Sequence, residues 1–220
     1  SMDSSYIFIR GVAYKVKHLY IVDASWFIFR SFHAIPPLNR ADGTPVNAVF
    51  GFTTLLMKLL DDLNPDHLAI TFDAGRKTFR NEIYPQYKAN RSEPPEELIP
   101  QFDLIRDATK AFNLDCIEVQ GFEADDLIGT LSRQAEIENI PTIILTGDSD
   151  LLQLVSPLVK VGMNNTQRQQ KIYDVEAVKE RYEGLGPNSI IQIKALTGDS
   201  SDIIPGVPGI GPKNAIRLVK

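Results

Sequence analysis

Glu123-Ala124-Asp125-Asp126 places three carboxylates within four residues, directly before an apolar helical pattern of Leu127, Ile128 and Leu131. Acids in a helix's first turn suit the macrodipole, which accounts for one or two of them. Three are harder to place. Unit charges about 4 Å apart repel by roughly 4 kcal/mol at an effective dielectric near 20, so crowded carboxylates need a cation or a proton between them. The pattern recurs: Asp148-Ser149-Asp150 follows the apolar run 142–147, Asp199 and Asp202 flank Ser200-Ser201, and Asp23 and Asp73 each close a strand-like run. Singly, each acid reads as a helix cap or turn former. Jointly, five segments that all end apolar runs in acids read as a ligand set. Asp and Glu without a His or Cys cluster are hard oxygen donors, suited to Mg²⁺ or Mn²⁺ rather than Zn²⁺.

The elements that must position these acids fit in one substantial core with a small appended module, at 220 residues of which 43% are hydrophobic and 23% charged. No apolar run is long enough to cross a bilayer, no secretory signal pattern opens the chain, and the single cysteine, Cys116, excludes an internal disulfide. These features point to a cytoplasmic protein with no membrane partner. A net charge of -5 argues against nucleic acid until its distribution is considered. Between Arg76 and Arg91, five basic residues (Arg76, Lys77, Arg80, Lys88, Arg91) stand against the lone acid Glu82. That local reversal of sign is a footprint for phosphate.

Residues 1–17 read as an N-terminal extension, its Ser1-Met2 start a cloning remnant, with a short hairpin over Tyr6–Ile9 and Val12–Val16. His18–Asp23 and His67–Asp73 read as buried strands ending in acids, joined by a helical period from Val46 to Leu63, the strand-helix-strand unit of a parallel sheet. Residues 74–100 break the alternation as a surface insertion. Phe79, Tyr84 and Tyr87 interleave there with Arg80, Lys88 and Arg91, so rings could stack bases while cations neutralise phosphates. The same stretch also reads as a solvated charged loop over buried aromatics. Further helices are expected at 101–112, 124–139, 175–182 and 190–196, and strands at 116–119, 142–146, 159–162 and 171–173. The sum is an α/β fold, a central mainly parallel sheet with flanking helices and acids gathered at its strands' carboxyl ends.

After Gly184 the pattern becomes a small helical module. Gly206, Gly209 and Gly211 with interposed prolines, and Pro212 at a helix N1 position, describe a helix-hairpin-helix turn whose bare amides can hold a phosphate without reading a base. Pro212 interrupts any Gly-Lys-Ser/Thr phosphate loop.

These residues together resemble the 5′-nuclease (flap endonuclease-like) domain found at the amino end of bacterial DNA polymerase I and in related stand-alone and phage exonucleases. The likeness runs from about His18 to Lys220. It is carried by Gly121-Phe122-Glu123-Ala124-Asp125-Asp126, by Thr146-Gly147-Asp148-Ser149-Asp150, and by Gly198-Asp199-Ser200-Ser201-Asp202 with the glycine hairpin; Phe72-Asp73-Ala74, Thr78-Phe79-Arg80 and Tyr87-Lys88-Ala89-Asn90-Arg91 support it. The resemblance implies a PIN-like catalytic domain over 18–184 with a helical arch at 74–100, and a DNA-binding helix-hairpin-helix module over 185–220 that continues further in the family. It implies a monomeric 5′-3′ exonuclease and flap endonuclease of DNA replication and repair, using two or more Mg²⁺ or Mn²⁺ ions, acting on 5′ flaps and branched duplexes without sequence preference.

In that comparison Asp23, Asp73, Glu123 and Asp125 match the first metal cluster, and Asp126, Asp148, Asp150, Asp199 and Asp202 the second or its surroundings. Arg80, Lys88, Arg91 and Lys194 match cations that steady the scissile phosphate. Arg30, Phe79, Tyr84, Tyr87, Gly206, Gly209, Gly211 and Lys213 match DNA-binding positions, the hairpin also being a place for K⁺. Two positions depart: Ile203 stands where the family usually has Asn, and Ser149 where it usually has Lys. Neither removes a carboxylate, so a DNA-binding module with degraded catalysis is the weaker alternative. An aspartyl phosphatase is weaker still, because Leu152 occupies the place of its signature Thr or Val.

Overall fold

The computed structural model describes residues 6–9, 12–15, 18–164 and 170–220. Strands β1 (Tyr6–Ile9) and β2 (Val12–Lys15) pair antiparallel as a hairpin of their own. The main sheet contains β3 (Leu19–Asp23), β4 (His67–Thr71), β5 (Asp115–Ile117), β6 (Thr142–Thr146), β7 (Val159–Asn164) and β8 (Gln170–Tyr173), in the spatial order β5-β4-β3-β6-β7-β8. All its neighbouring pairs run parallel except β7 with β8. The polar turn expected between those two strands falls partly on 165–169, outside the described residues.

Register explains how one sheet serves two cores. Ile21 lies opposite Ala69 and Ile144, and the next row places Val22 opposite Ile70 and Leu145. Because strand side chains alternate faces, the first row enters one core and the second row the other. The first core is closed by residues of α5 (Ala124–Ile137), α6 (Val175–Arg181) and α7 (Ser189–Thr197). The second is closed by α1 (Ala24–Ala34), α2 (Asn47–Leu63) and α4 (Ile99–Ala111). Sheets buried on both faces require continuous apolar strands, which is what the central runs supply.

Helix α2 has no side-chain cap of its own. Gln101, fully buried on α4, supplies one: its Oε1 accepts from the backbone N–H groups of Ala48 (2.7 Å) and Val49 (3.1 Å) while its amide donates to Asn47 (2.9 Å). Orphan donors at the helix start are thereby satisfied from 52 and 53 residues further along the sequence.

Within 74–100 the helical residues are α3 (Phe79–Ile83) and the first two residues of α4, so the expected helical arch is mostly turns and extended chain. The residue after α3, Tyr84, precedes Pro85 and is extended (φ -136°, ψ 93°), as the proline ring requires, and turns follow. At the C-terminal end, Gly211 caps α8 (Pro212–Val219) with Pro212 in its first turn, as expected from the hairpin sequence. Among the described residues no helix is long and apolar enough to cross a membrane.

Candidate active site

The chain runs from β3 outward through β4 to β5, then returns to place β6 on β3's other side. Connections leaving β3 and β6 diverge at this switch point, opening a crevice at the strands' carboxyl ends. Asp23 ends β3 there and is 4% exposed. Its carboxylate accepts from the Thr146 hydroxyl at the end of β6 (2.8 Å) and from the Trp26 backbone N–H (3.3 Å). Burial pushes the Asp23 carboxyl up to about 6, against those two hydrogen bonds and with help from repulsion by Asp73 and Asp148. Thr146 also accepts the Asp148 N–H (3.0 Å), so one buried hydroxyl joins both sides of the crevice. Between them Gly147 lies against Trp26 so closely that a Cβ would sit 1.8 Å from the indole, so any other residue would have to displace that ring.

Helix α5 points its N-terminus into the crevice. Its first N–H, that of Ala124, donates to Asp73 (2.7 Å), an anion on a helix start. Asp125 keeps an opening to solvent, yet protein surrounds its carboxyl. That desolvation, followed by repulsion from Asp23, Asp148, Asp73 and Glu123, raises it to about 8. Acids from four separate segments therefore bear on one carboxyl.

A second group adjoins the first. Asp148 is raised by burial and by repulsion from Asp150 and Asp199, while the Asp150 N–H bond (2.9 Å) works against the rise. Lys194 on α7 bridges Asp150 (2.9 Å) and Asp199 (3.2 Å). For Asp199 burial acts upward, but Ser201 and Lys194 outweigh it and hold the carboxyl below its usual range.

The insertion folds onto these acids. Arg80 makes two 2.7 Å bonds to Asp126 and one of 3.2 Å to Glu123, and Lys88 pairs with Glu123. Burial alone would lift Asp126, yet the Arg80 bonds and the Glu123 backbone N–H keep it low. Arg91 pairs with Asp202 (2.7 Å). Tyr87 is 7% exposed, lies beneath Lys88, and donates its hydroxyl to Glu123 (2.9 Å). Its ring is thus covered rather than presented to a base. Phe79 remains partly exposed with the Arg80 guanidinium over its ring, and Tyr84 donates to the Ile203 carbonyl (3.0 Å).

Of the nine carboxylates singled out in the sequence, Asp23, Asp73, Glu123, Asp125 and Asp148 form one interacting group, which Asp150 and Asp199 extend. Asp126 and Asp202 are engaged by arginines instead. Among the described residues no three acids close into a ready-made ion cage. The donor chemistry nonetheless fits Mg²⁺ or Mn²⁺: the donors are carboxylate oxygens, and two of the carboxyls are raised by burial and by the repulsion of neighbouring acids. Counted as formal charges, nine acids against Arg80, Lys88, Arg91 and Lys194 leave a balance of -5, equal to the formal net charge of the whole chain. The rest of the protein is balanced, so the acidic total reflects this site.

Arg30 lies over Trp26 (5.1 Å), beside the crevice wall. In the hairpin, Gly206 packs against the end of α7, where a Cβ would meet the Thr197 carbonyl carbon at 2.4 Å; Gly209 and Gly211 face open space, and Lys213 is exposed. Gly206 therefore has a packing reason to be glycine, and Gly209 and Gly211 are the accessible ones. Sequence reasoning passed over Thr146, Gly147 and Trp26. Thr146-Gly147 opens the Thr146–Asp150 motif, but nothing local shows that the Thr146 hydroxyl reaches β3.

Residues 18–183 match the family profile of the 5′-3′ exonuclease N-terminal resolvase-like domain, and residues 185–220 match that of the 5′-3′ exonuclease C-terminal SAM fold. The chain belongs to the 5′-3′ exonuclease family. DNA polymerase I of Rhizobium leguminosarum is 52% identical over 214 residues, covering 94% of this chain and 21% of that protein. This exonuclease-family chain thus spans about a fifth of the length of the curated relatives it matches. The zinc-bound T5 5′-exonuclease shares the fold, with a TM-score of 0.74 at 24% identity over 92% of this chain and 74% of that one. So does the T5 D15 flap endonuclease in a pseudo-enzyme-product complex with DNA and metal ions, with a TM-score of 0.72 at 24% identity over the same shares.

Proposed function

We propose that this chain is a divalent-metal-dependent 5′-3′ exonuclease and flap endonuclease, hydrolysing DNA phosphodiester bonds at 5′ ends and flaps in replication and repair as the nuclease part of a DNA polymerase I. The observation that carries this reading is the Asp125 carboxyl, raised by burial and by acids from three other segments of the chain together with its neighbour Glu123. A cluster so repulsive is tolerable when cations enter it.

Asp23, Asp73, Glu123 and Asp125 would hold one ion, and Asp148, Asp150, Asp199 and Asp202 a second, with Asp126 beside them. Two such ions, when bound, supply charge stabilisation to both the attacking and the leaving oxygen of an in-line displacement. The protein's own groups do the rest. Arg80, Lys88, Arg91 and Lys194 stand over the acids and present their charge where a scissile phosphate would lie. Arginine favours bidentate contact with its oxygens and lysine acts as a point charge. The start of α8, with Gly209, Gly211 and Lys213, would take the duplex through phosphates alone, which accounts for binding without sequence preference. Phe79 and Arg30 line the approach, and K⁺ would occupy the hairpin. The reading places the protein in the cytoplasm as a monomer.

Incubating the protein with a 5′-flap duplex, once with Mg²⁺ and once with EDTA, tests this. Cleavage only with Mg²⁺, releasing short products with 5′-phosphates, is the expected result. Binding under both conditions with cleavage under neither would instead make the chain a DNA-binding module.

A further inference from the structure

Four donors of the insertion, all between residues 84 and 91, reach Ser200, Asp202 and Ile203, three residues more than a hundred positions later. The Tyr84 hydroxyl donates to the Ile203 carbonyl (3.0 Å), the Lys88 backbone N–H to the Asp202 carbonyl (3.1 Å), the Asn90 amide to the Ser200 carbonyl (3.4 Å), and Arg91 to the Asp202 carboxylate (2.7 Å). The residues on either side of this seam are in an unusual conformation. Lys88 has φ 55° and Ile203 φ 57°, the left-handed region that neither side chain favours. Such residues persist only where their surroundings over-determine them, and they gather at functional sites. At Lys88 the conformation has a visible result: its N–H faces Asp202 while its ammonium reaches Glu123 on the other acid group.

We infer that Tyr84 is a positioning residue, whose hydroxyl on the Ile203 carbonyl locks the 84–91 segment to the loop carrying Asp199 and Asp202 and thereby sets Lys88 over the phosphate. This rests on the nuclease reading above. It gives Tyr84 a different role from base stacking, which needs the ring and not the hydroxyl. A stacking residue tolerates loss of the oxygen; a latch does not. Tyr84 touches no reacting atom, so its effect passes through Lys88.

Tyr84→Phe removes the hydroxyl and keeps the ring. On a 5′-flap duplex with Mg²⁺, kcat should fall about three- to tenfold, the scale of one neutral hydrogen bond expressed in a rate, with KM changed less than about twofold. In a Lys88→Ala background the same substitution should cost almost nothing further, because the group it positions is gone. Equal additional losses in both backgrounds would show a structural effect only and overturn the proposal, as would an unchanged kcat. Amide hydrogen exchange supplies a readout that does not depend on cleavage: Tyr84→Phe should speed exchange at Lys88 and at Asp202–Ile204 and leave the β3 amides unchanged. Unaltered exchange at those positions would overturn the latch even in a protein that cuts. Faster exchange there in a protein that cuts nothing would retain the latch and refute the nuclease reading.

Discussion

The Thr146 hydroxyl donates to the Asp23 carboxylate at 2.8 Å, joining the ends of two strands that lie side by side in the sheet but 123 residues apart in the chain. Thr146 is fully buried and Asp23 nearly so, and this bond works against the upward pressure of burial on the Asp23 carboxyl. Thr146→Val keeps the shape and removes the donor. An unsatisfied buried acceptor costs about 1–3 kcal/mol, which here also loses the partner of the Asp148 N–H. Denaturant unfolding should show the free energy of unfolding lowered by that amount, as a lower midpoint with an unchanged slope, and the Asp23 carboxyl should titrate higher still. An unchanged midpoint would mean that the hydroxyl does not hold the crevice.

The raised carboxyls make stability depend on pH in a definite direction. Asp23 at about 6 and Asp125 at about 8 bind protons more tightly in the folded protein than in the unfolded chain, where an aspartate titrates near about 3.9. Their contribution is therefore fully present below about pH 4 and is lost as pH rises through 6 and then 8. Asp126 and Asp199, held low, act oppositely, and their contribution disappears only as pH falls below the ordinary carboxylate range. In EDTA the melting temperature should decline between pH 5 and 9, and Mg²⁺ should restore more of it at the alkaline end. A flat or rising profile in EDTA would contradict the crowded-carboxylate account.

Asp125→Asn separates stability from function. A neutral amide of the same shape relieves the repulsion that Asp23, Asp148, Asp73 and Glu123 exert. The metal-free protein should melt higher above neutral pH, by about 2–4 °C per kcal/mol relieved in a chain of this size. Cleavage should fall by at least the ~10–100-fold that loss of a mere supporting group costs a metal site. Melting curves in EDTA and flap cleavage with Mg²⁺, run on one preparation, check both. A variant less stable than its parent in EDTA at pH 8 would show that Asp125 is already compensated.

What the sequence discloses and what it conceals divide along a physical line. Acids at the ends of apolar runs, the helical period of Leu127, Ile128 and Leu131, and Pro212 after a glycine hairpin are local signals, and each element appears where its pattern indicates. That β6 returns beside β3 rather than beyond β5 is a choice made by packing, and it alone brings Asp148 to Asp23. Partner selection is concealed for the same reason. Nothing near Asp126 or Asp202 announces that arginines 46 and 111 residues distant will occupy them. Gln101 looks like an ordinary helix residue until α2 is found without a cap. The Tyr87 ring, interleaved with basic residues like any stacking platform, is buried because its hydroxyl has Glu123 to reach.

Ile203 offers the clearest test of stored strain. It is β-branched, half-buried and left-handed (φ 57°, ψ 34°), and its carbonyl is the acceptor for Tyr84. A β-branched residue in that region costs roughly 1–3 kcal/mol, whereas asparagine enters it readily. Ile203→Asn leaves the backbone acceptor in place and removes the strain, with some loss of apolar burial in return. Stability should rise by about 1 kcal/mol, or roughly 2–4 °C in melting temperature. Cleavage should be at least that of the parent, since no carboxylate or cation is touched. If the variant melted at or below the parent's temperature, the left-handed isoleucine would be paid for by its side-chain contacts, and the seam it anchors would owe its geometry to packing rather than to the hydrogen bond from Tyr84.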